Sequence, residues 1–267
     1  MARKSVISLT TDFGHADPFV GTIKGVILRI NPSARIVDLS HDVSAHDVLD
    51  GALTLWQGYR FFPRGTVHIV VVDPGVGSER RAILASTLHF HFVAPDNGVL
   101  SFIYERERGL IVRQITASRF FLKPVSLTFH GRDIFAPVAA WLSRGIQPKK
   151  FGRVITDYVK APLAKPRRAG EGCVEGEVIR VDRFGNLLTN IGPAEASEIF
   201  SDSPPPFQVV INGHEISKLY VSFAAGVPDE PFLILGSSGW LEIAINRRSA
   251  AEFLRAGRGT PVLLRVL

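Results

Sequence analysis

Apolar and polar positions repeat with two different periods along this chain, and the balance between them shifts past its middle. The first part alternates short strand-like runs with segments of helical spacing. SVISLTTD (5–12) reads as a strand, and Asp17-Pro18 then predicts an N-cap with proline at the first helical position of FVGTIKGVILRI. ARIVDLS (34–40) is a second strand, DVLDGALTLWQGYRFF (47–62) a helix, and VHIVVVD (67–73) a third strand. AILAS (82–86) and the strictly alternating HFHFVA (89–94) add two strands. A helix from Asn97 to Glu107, a strand near Ile111–Ile115 and a helical stretch from Arg132 to Ser143 complete the series. Strand–helix alternation with such short connections implies βαβ units, hence an α/β fold with a mostly parallel sheet sandwiched by helices.

Around residues 158–172 the pattern gives way to YVKAPLAKPRRAGEG, whose prolines, basic residues and glycines suit an exposed connector. Beyond it come almost only strand signals: GEVIRVDRFGNLLTNI, PFQVVINGHEISKLYVSF, PFLILGSSGWLEIAIN and TPVLLRVL. Asn212-Gly213 between apolar runs marks a hairpin, and SAAEFLRA one short helix. The expected organisation is an α/β domain over 1–158, a linker over 159–171 and an antiparallel β-barrel domain over 172–267.

Composition narrows the function classes. With 267 residues, 46% hydrophobic and 21% charged, the chain is a globular protein with a sizeable core. No apolar run reaches the roughly 18–20 residues of a membrane span. The opening MARKSVISLTTDFG has an apolar stretch too short and too polar for a signal peptide. The single cysteine, Cys173, excludes an internal disulfide, and no Cys/His spacing suggests zinc, so a cytoplasmic protein without a metal site is expected. The net charge of +6 is scattered. Its densest groups, KAPLAKPRRAG (160–170) and NRRSAAEFLRAGRG (246–259), do not interleave aromatics as a base-stacking surface would, which argues against a nucleic-acid partner.

The chemistry enters at VHIVVVDPGVGSERRAI (67–83), where a buried-looking strand delivers Asp73 to its end and Arg80 and Arg81 follow a Pro-Gly turn. Asp-Pro-Gly alone is turn chemistry. Asp12 and Asp38, however, also stand at or near the carboxyl ends of their strands, the edge where open parallel sheets bind ligands. The lack of a GxxxxGK[ST] loop and of a GxGxxG after a strand, with an acid-lined edge that repels anions, argues against phosphate. An acid-lined edge suits a cationic or hydroxyl-rich small molecule. Asp12-Phe13-Gly14 matches a kinase signature only by accident, since no companion motif accompanies it, and Gly236-Ser237-Ser238-Gly239 is not GxSxG and lies in the β domain, so a nucleophile elbow is unsupported.

TTDFGHADPFVGTIKG, VVDPGVGSERRAI, APDNGVL, FHGRDIFAP, RFGNLLTNI and SSGWLEIAIN together resemble the S-adenosyl-L-methionine (SAM) hydrolases that form adenosine, also called SAM hydroxide adenosyltransferases. These are relatives of the fluorinating and chlorinating enzymes. The resemblance runs in order from about residue 6 to 265. It implies a homotrimer with its site where one subunit's first domain meets its neighbour's second, SAM as substrate, and no cofactor. It further implies that Asp73, Arg80 and His130 handle the attacking water, that Phe129 is among the substrate-binding residues, and that Asp12 binds the ribose. Phe184, Asn186 and Phe223 would surround the adenine, Asp182 would meet the methionine ammonium, and Ser237 would lie near the methionine carboxylate. Glu242, Ile245 and the backbone of Arg247 would line the same pocket.

The halogenating relatives have tyrosine at the positions of Asp73 and His130, serine at Gly131 and a halide-holding threonine at Val76. They carry tryptophan at His46 and arginine at Ser238. A charged set able to orient water thus replaces hydroxyl donors for a halide. The sulfonium of SAM is already activated, so the chemical demand falls on the nucleophile, whose positioning alone can supply roughly 7–11 kcal/mol. Asp73 or His130 would take the water's proton, and Arg80 would favour hydroxide-like character. The alternatives are halide adenosyl transfer and a non-catalytic binder of adenosine-type ligands.

Overall fold

The alternation in the first part of the chain becomes a six-stranded sheet. Its elements are β1 (Val6–Thr11), α1 (Phe19–Ile30), β2 (Arg35–Ser40), α2 (Val48–Gly58), β3 (Val67–Val71), β4 (Ala82–Ser86), β5 (His91–Pro95), α3 (Ser101–Arg106), β6 (Ile111–Gln114) and α4 (Ala136–Ser143). The computed structural model describes residues 5–267, so Arg3 and Lys4 of the opening segment lie outside the described residues. Contacts divide the chain into two compact units, the first ending at Leu163 and the second beginning at Ala164.

In the first unit the strand order is β2-β1-β3-β5-β4-β6. Strands β2, β1, β3 and β5 run parallel, and β4 is antiparallel to both β5 and β6. Strand β3 is buried along its whole length, as a central parallel strand covered on both faces must be. Period-two alternation sends Ile7, Leu9, Val67, Ile69 and Val71 into a core shared with Ile23 and Ile27 of α1 and with Phe135, Val138 and Ala139. Each fully buried aliphatic side chain there contributes about 1.5–3 kcal/mol.

Helix α1 starts one residue later than the sequence predicts. Pro18, not Asp17, holds the cap position, without a side-chain cap, and its carbonyl accepts from both the amide and the hydroxyl of Thr22 at 2.9 and 2.8 Å. Helix α3 is shorter than expected because Asn97 and Gly98 form the preceding turn, with Ser101 donating from both its amide and its hydroxyl to the Gly98 carbonyl. The expected helix from Arg132 begins instead as a π-helical turn over Gly131–Phe135, closed by the Ala136 amide on the Gly131 carbonyl, before α4 continues.

On the opposite sheet face stand the buried polar side chains of Ser8, Thr10 and His68. His68 is fully buried, its Nδ1 2.6 Å from Ser8 Oγ, amid the rings of Tyr59, Phe62, Phe90 and Phe92. Burial pushes its pKa down to about 3. Between the ordinary value of 6.5 and about 3, the unfolded chain takes up a proton that the folded chain refuses, so stability is complete above 6.5 and falls as the pH drops through that window. Wild type should lose about 2–3 kcal/mol more unfolding free energy than His68→Leu between pH 7 and pH 4.5 in urea titrations. Equal losses would refute this account.

The second unit is a curled, half-barrel sheet built from β7 (Arg167–Gly170), β8 (Cys173–Val181), β9 (Leu187–Thr189), β10 (Phe207–Ile211), β11 (His214–Ile216), β12 (Leu219–Tyr220), β13 (Pro231–Leu235), β14 (Leu241–Ile245) and β15 (Pro261–Val266). The order is β11-β10-β15-β8-β9-β14-β13-β12, with β7 on β8, and only β12–β13 is parallel. Part of the segment read as a linker is therefore strand, since Arg167–Gly170 pairs with β8. Asn212 and Gly213, at φ +46° and +79°, make the expected two-residue turn between β10 and β11. Helix α5 (Ala250–Leu254) is capped by Ser249, whose hydroxyl accepts from the Glu252 amide.

Candidate active site

The loop after β3 brings Arg80 back onto Asp73. Turn bonds from the Val76 amide to the Asp73 carbonyl and from the Ser78 amide to the Gly75 carbonyl fold residues 73–78 tightly. Asn97 Nδ2 fixes the preceding carbonyl, Val72 O, at 2.8 Å. The guanidinium grips the carboxylate with two parallel bonds, Nε to Oδ1 at 2.9 Å and Nη2 to Oδ2. Both side chains are nearly shut off from solvent, at 10% and 5% exposure. Phe135 lies under the guanidinium, its ring centroid 5.3 Å from Cζ.

His130 precedes the π-helical turn and reaches the same guanidinium, its Nδ1 2.8 Å from Arg80 Nη2. Single-turn π insertions are frequent at functional sites. Arginine only donates, so Nδ1 is the acceptor and the neutral ring carries its proton on Nε2. Burial, then the positive charge of Arg80, holds His130 below the ordinary histidine range, against the opposing pull of Asp73 and Asp133. The structure thus joins Asp73, Arg80 and His130 at one point. It also engages four of the five N–H donors of Arg80. Nε serves Asp73, the two hydrogens of Nη2 serve Asp73 and His130, and Nη1 reaches the Arg81 carbonyl at the outer limit of 3.5 Å.

Phe129 packs edge-on against Phe13 and Phe19, at centroid separations of 6.1 and 5.4 Å. Asp12 follows β1, and its Oδ2 accepts from the His46 amide at 2.9 Å. Asp38 does not join these acids. Lys24 donates to its Oδ2 at 2.6 Å, and His41 Nε2 lies 3.1 Å from its Oδ1. Arg81 is equally separate, tied to Asp96 and Asp157.

The remaining candidates lie in the second unit. Asp182 shapes its own turn, accepting at Oδ1 from the amides of Phe184 and Asn186 at 2.8 and 2.9 Å and at Oδ2 from Asn186 Nδ2 at 2.8 Å. The turn lifts Phe184 to 77% exposure, and Phe223, on a separate short helical turn, stands exposed as well. Burial, then the negative charge of Asp182, raises the pKa of Glu242. Glu242 packs over Gly236, where an added Cβ would meet its Oε1 at 1.9 Å. Ser237 is exposed in the same turn, whereas the neighbouring Ser238 Oγ is buried without a hydrogen-bond partner among the described residues. The Ile245 side chain lies in the core with Leu241 and Ile243. Arg247 is exposed with left-handed backbone, φ +60°, just past β14.

An α/β unit that gathers an acid, a guanidinium and an imidazole at the carboxyl edge of its strands, followed by a curled β unit, is organised as a small-molecule enzyme. The chain belongs to the SAM hydroxide adenosyltransferase family, whose N-terminal domain matches residues 7–152 and whose C-terminal domain matches residues 176–263. It is 35% identical over 261 residues to an (R)-S-adenosyl-L-methionine hydrolase of Thermus thermophilus, covering 95% of this chain and 97% of that one. A fluorinase of an Actinoplanes species is 26% identical over 270 residues, 90% of this chain and 91% of the relative. A solved structure of an uncharacterized conserved protein from Thermotoga maritima superposes with a TM-score of 0.90 at 37% identity, covering 97% of this chain and 99% of that one.

Among the described residues no helix is long and apolar enough to cross a membrane, and no group of three or more His, Cys, Asp or Glu side chains could hold a metal ion.

Proposed function

We propose that this protein hydrolyses SAM to adenosine and L-methionine by attack of water on the ribose C5′. The oxygen of water forms the new bond to C5′, the C5′–S bond breaks with its electron pair left on sulfur, and one water proton departs. No cofactor is required, because the sulfonium is itself the activated leaving group. The observation that carries this reading is the junction of Asp73, Arg80 and His130.

Within that junction the roles follow from which hydrogens are free. Nδ1 of His130 is occupied by Arg80 and Nε2 holds a proton, so the neutral imidazole donates toward the water and does not deprotonate it. Asp73 keeps unused lone pairs and is the proton acceptor. Arg80 bridges the two and fixes their orientation. Asp12 holds the ribose, Phe129 borders the water, and Phe184, Asn186 and Phe223 surround the adenine. Asp182, Glu242, Ser237 and the backbone of Ile245 and Arg247 hold the methionine end.

Large aromatic surface left open at Phe184 and Phe223 supports a homotrimer in which a neighbouring subunit completes the site. Halide transfer is the second reading, favoured by kinship with the fluorinases. A serine Cβ at Gly131 would meet Ile23 at 3.2 Å and Phe129 at 3.4 Å, and Val76 offers no hydroxyl, so the donors for a halide are lacking. Incubation with SAM and chloride in ¹⁸O-water should give labelled adenosine. Formation of 5′-chloro-5′-deoxyadenosine would establish the second reading, and SAM left intact a non-catalytic binder. Light scattering of the same preparation should give the mass of three chains, and a monomer mass would refute the assembly.

A further inference from the structure

The site described above leaves one buried cluster unused, at the carboxyl ends of β1 and β2. His41 is 2% exposed. Its Nδ1 lies 2.8 Å from Thr11 Oγ1, and its Nε2 lies 3.1 Å from Asp38 Oδ1, at an angle poor for a full hydrogen bond. Lys24 donates to the other oxygen of Asp38 at 2.6 Å. The carboxylate keeps the imidazole proton on Nε2, which leaves Nδ1 to accept from the Thr11 hydroxyl. The oxygen of that hydroxyl accepts in turn from the Phe13 amide at 3.3 Å. The main-chain carbonyl of His41 takes the Gly14 amide at 2.8 Å. One residue therefore holds the chain on both sides of Asp12, whose carboxylate is steadied separately by the His46 amide.

A hydroxyl, an imidazole and a carboxylate in a row also describe a nucleophilic triad. Thr11, however, is fully buried, and its oxygen is spent on Nδ1 and a backbone amide, so nothing can be attacked from it.

We propose that His41 is a positioning residue, whose neutral ring, anchored on Asp38, fixes the Thr11–Gly14 segment so that Asp12 is presented to the substrate in a single orientation. This rests on the reading of Asp12 as the group that binds the ribose. The charged and titratable groups facing the ring are Asp38, Lys24 and His15, whose own ring stands edge-on at 5.0 Å. Burial foremost, with the charges of His15 and Lys24, holds His41 below the ordinary histidine range against the pull of Asp38. A proton added at Nδ1 would turn that atom from acceptor to donor and set it against the Phe13 amide for the Thr11 oxygen. Affinity should therefore fall on the acid side.

The test measures adenosine binding by calorimetry from about pH 5 to about pH 8, with KM and kcat for SAM alongside, in wild type, His41→Ala, His41→Asn, Asp12→Ala and the Asp12→Ala/His41→Ala pair. His41→Ala should weaken adenosine about tenfold, the worth of one well-made hydrogen bond, and raise KM in step while kcat stays within about threefold. His41→Asn, whose amide oxygen can accept from Thr11 without titrating, should recover most of the affinity and flatten the acid limb. In the Asp12→Ala background the His41 effect should shrink below about twofold. Additive losses, or an acid limb that survives in His41→Asn, would overturn the positioning role alone. Wild-type affinity in Asp12→Ala would remove the reading of Asp12 and the proposal with it.

Discussion

Asp73→Asn should lower kcat by about 10²–10⁴-fold while moving KM for SAM by no more than about threefold. The asparagine keeps the shape of the carboxylate but surrenders the one basic group in the junction whose lone pairs are open. Its amide nitrogen, if turned toward Arg80, would set donor against donor. Arg80 would be left charged and shut off from water, a change that costs about 3–5 kcal/mol of stability when one member of a buried pair is removed. Asp73→Asn/Arg80→Met removes both charges, and its melting temperature should return toward wild type while turnover stays lost. Recovery of turnover with stability would show that Asp73 serves the fold and not the reaction. A loss expressed in KM alone would place it in substrate binding.

Gly185→Ala should destabilise the second unit by about 3–4 kcal/mol. Gly185 has φ +83°, and an added Cβ would meet Ser249 at Oγ (2.2 Å), Cβ (2.6 Å) and Cα (2.8 Å). The last of these is main chain and cannot rotate away. Gly213→Ala is the control, because that residue is also left-handed, at φ +79°, yet has nothing within 4 Å of the added atom. It should lose only about 1 kcal/mol. Urea denaturation of the two variants separates collision from backbone strain, and equal losses would refute the collision. Gly185 also ends the turn that Asp182 organises, so the variant should bind SAM less tightly even while folded.

What the sequence disclosed depended on whether the signal was local. Period-two runs and the Asn212-Gly213 turn are local, and each stands where the pattern put it. Asp12 and Asp73 could be placed at the sheet edge because parallel strands end there. Asp38 shares the edge but is engaged by Lys24 and His41, and no spacing announces which side chains will meet across two crossover connections. The return of Arg80 onto Asp73 depends on turn bonds of Val76 and Ser78, which the motif does not encode by its letters. The π-helical turn after His130 leaves no mark on apolar periodicity, since one extra residue in one turn shifts only its neighbours. Ile245 stands three positions from Glu242 on one strand, so its side chain faces the other way, into the core.

The bonds already made by Arg80 bear on which nucleophile the proposed site would accept. A fluoride or chloride ion arriving beside this cation would find most of its N–H bonds already directed elsewhere and a full negative charge immediately adjacent. On the proposed reading the place disfavours anions and suits a neutral dipole, which can give a hydrogen to the carboxylate and receive one from the imidazole. On that reading selection for water against halide would need no gate, because it would reside in the charge balance of two neighbouring side chains.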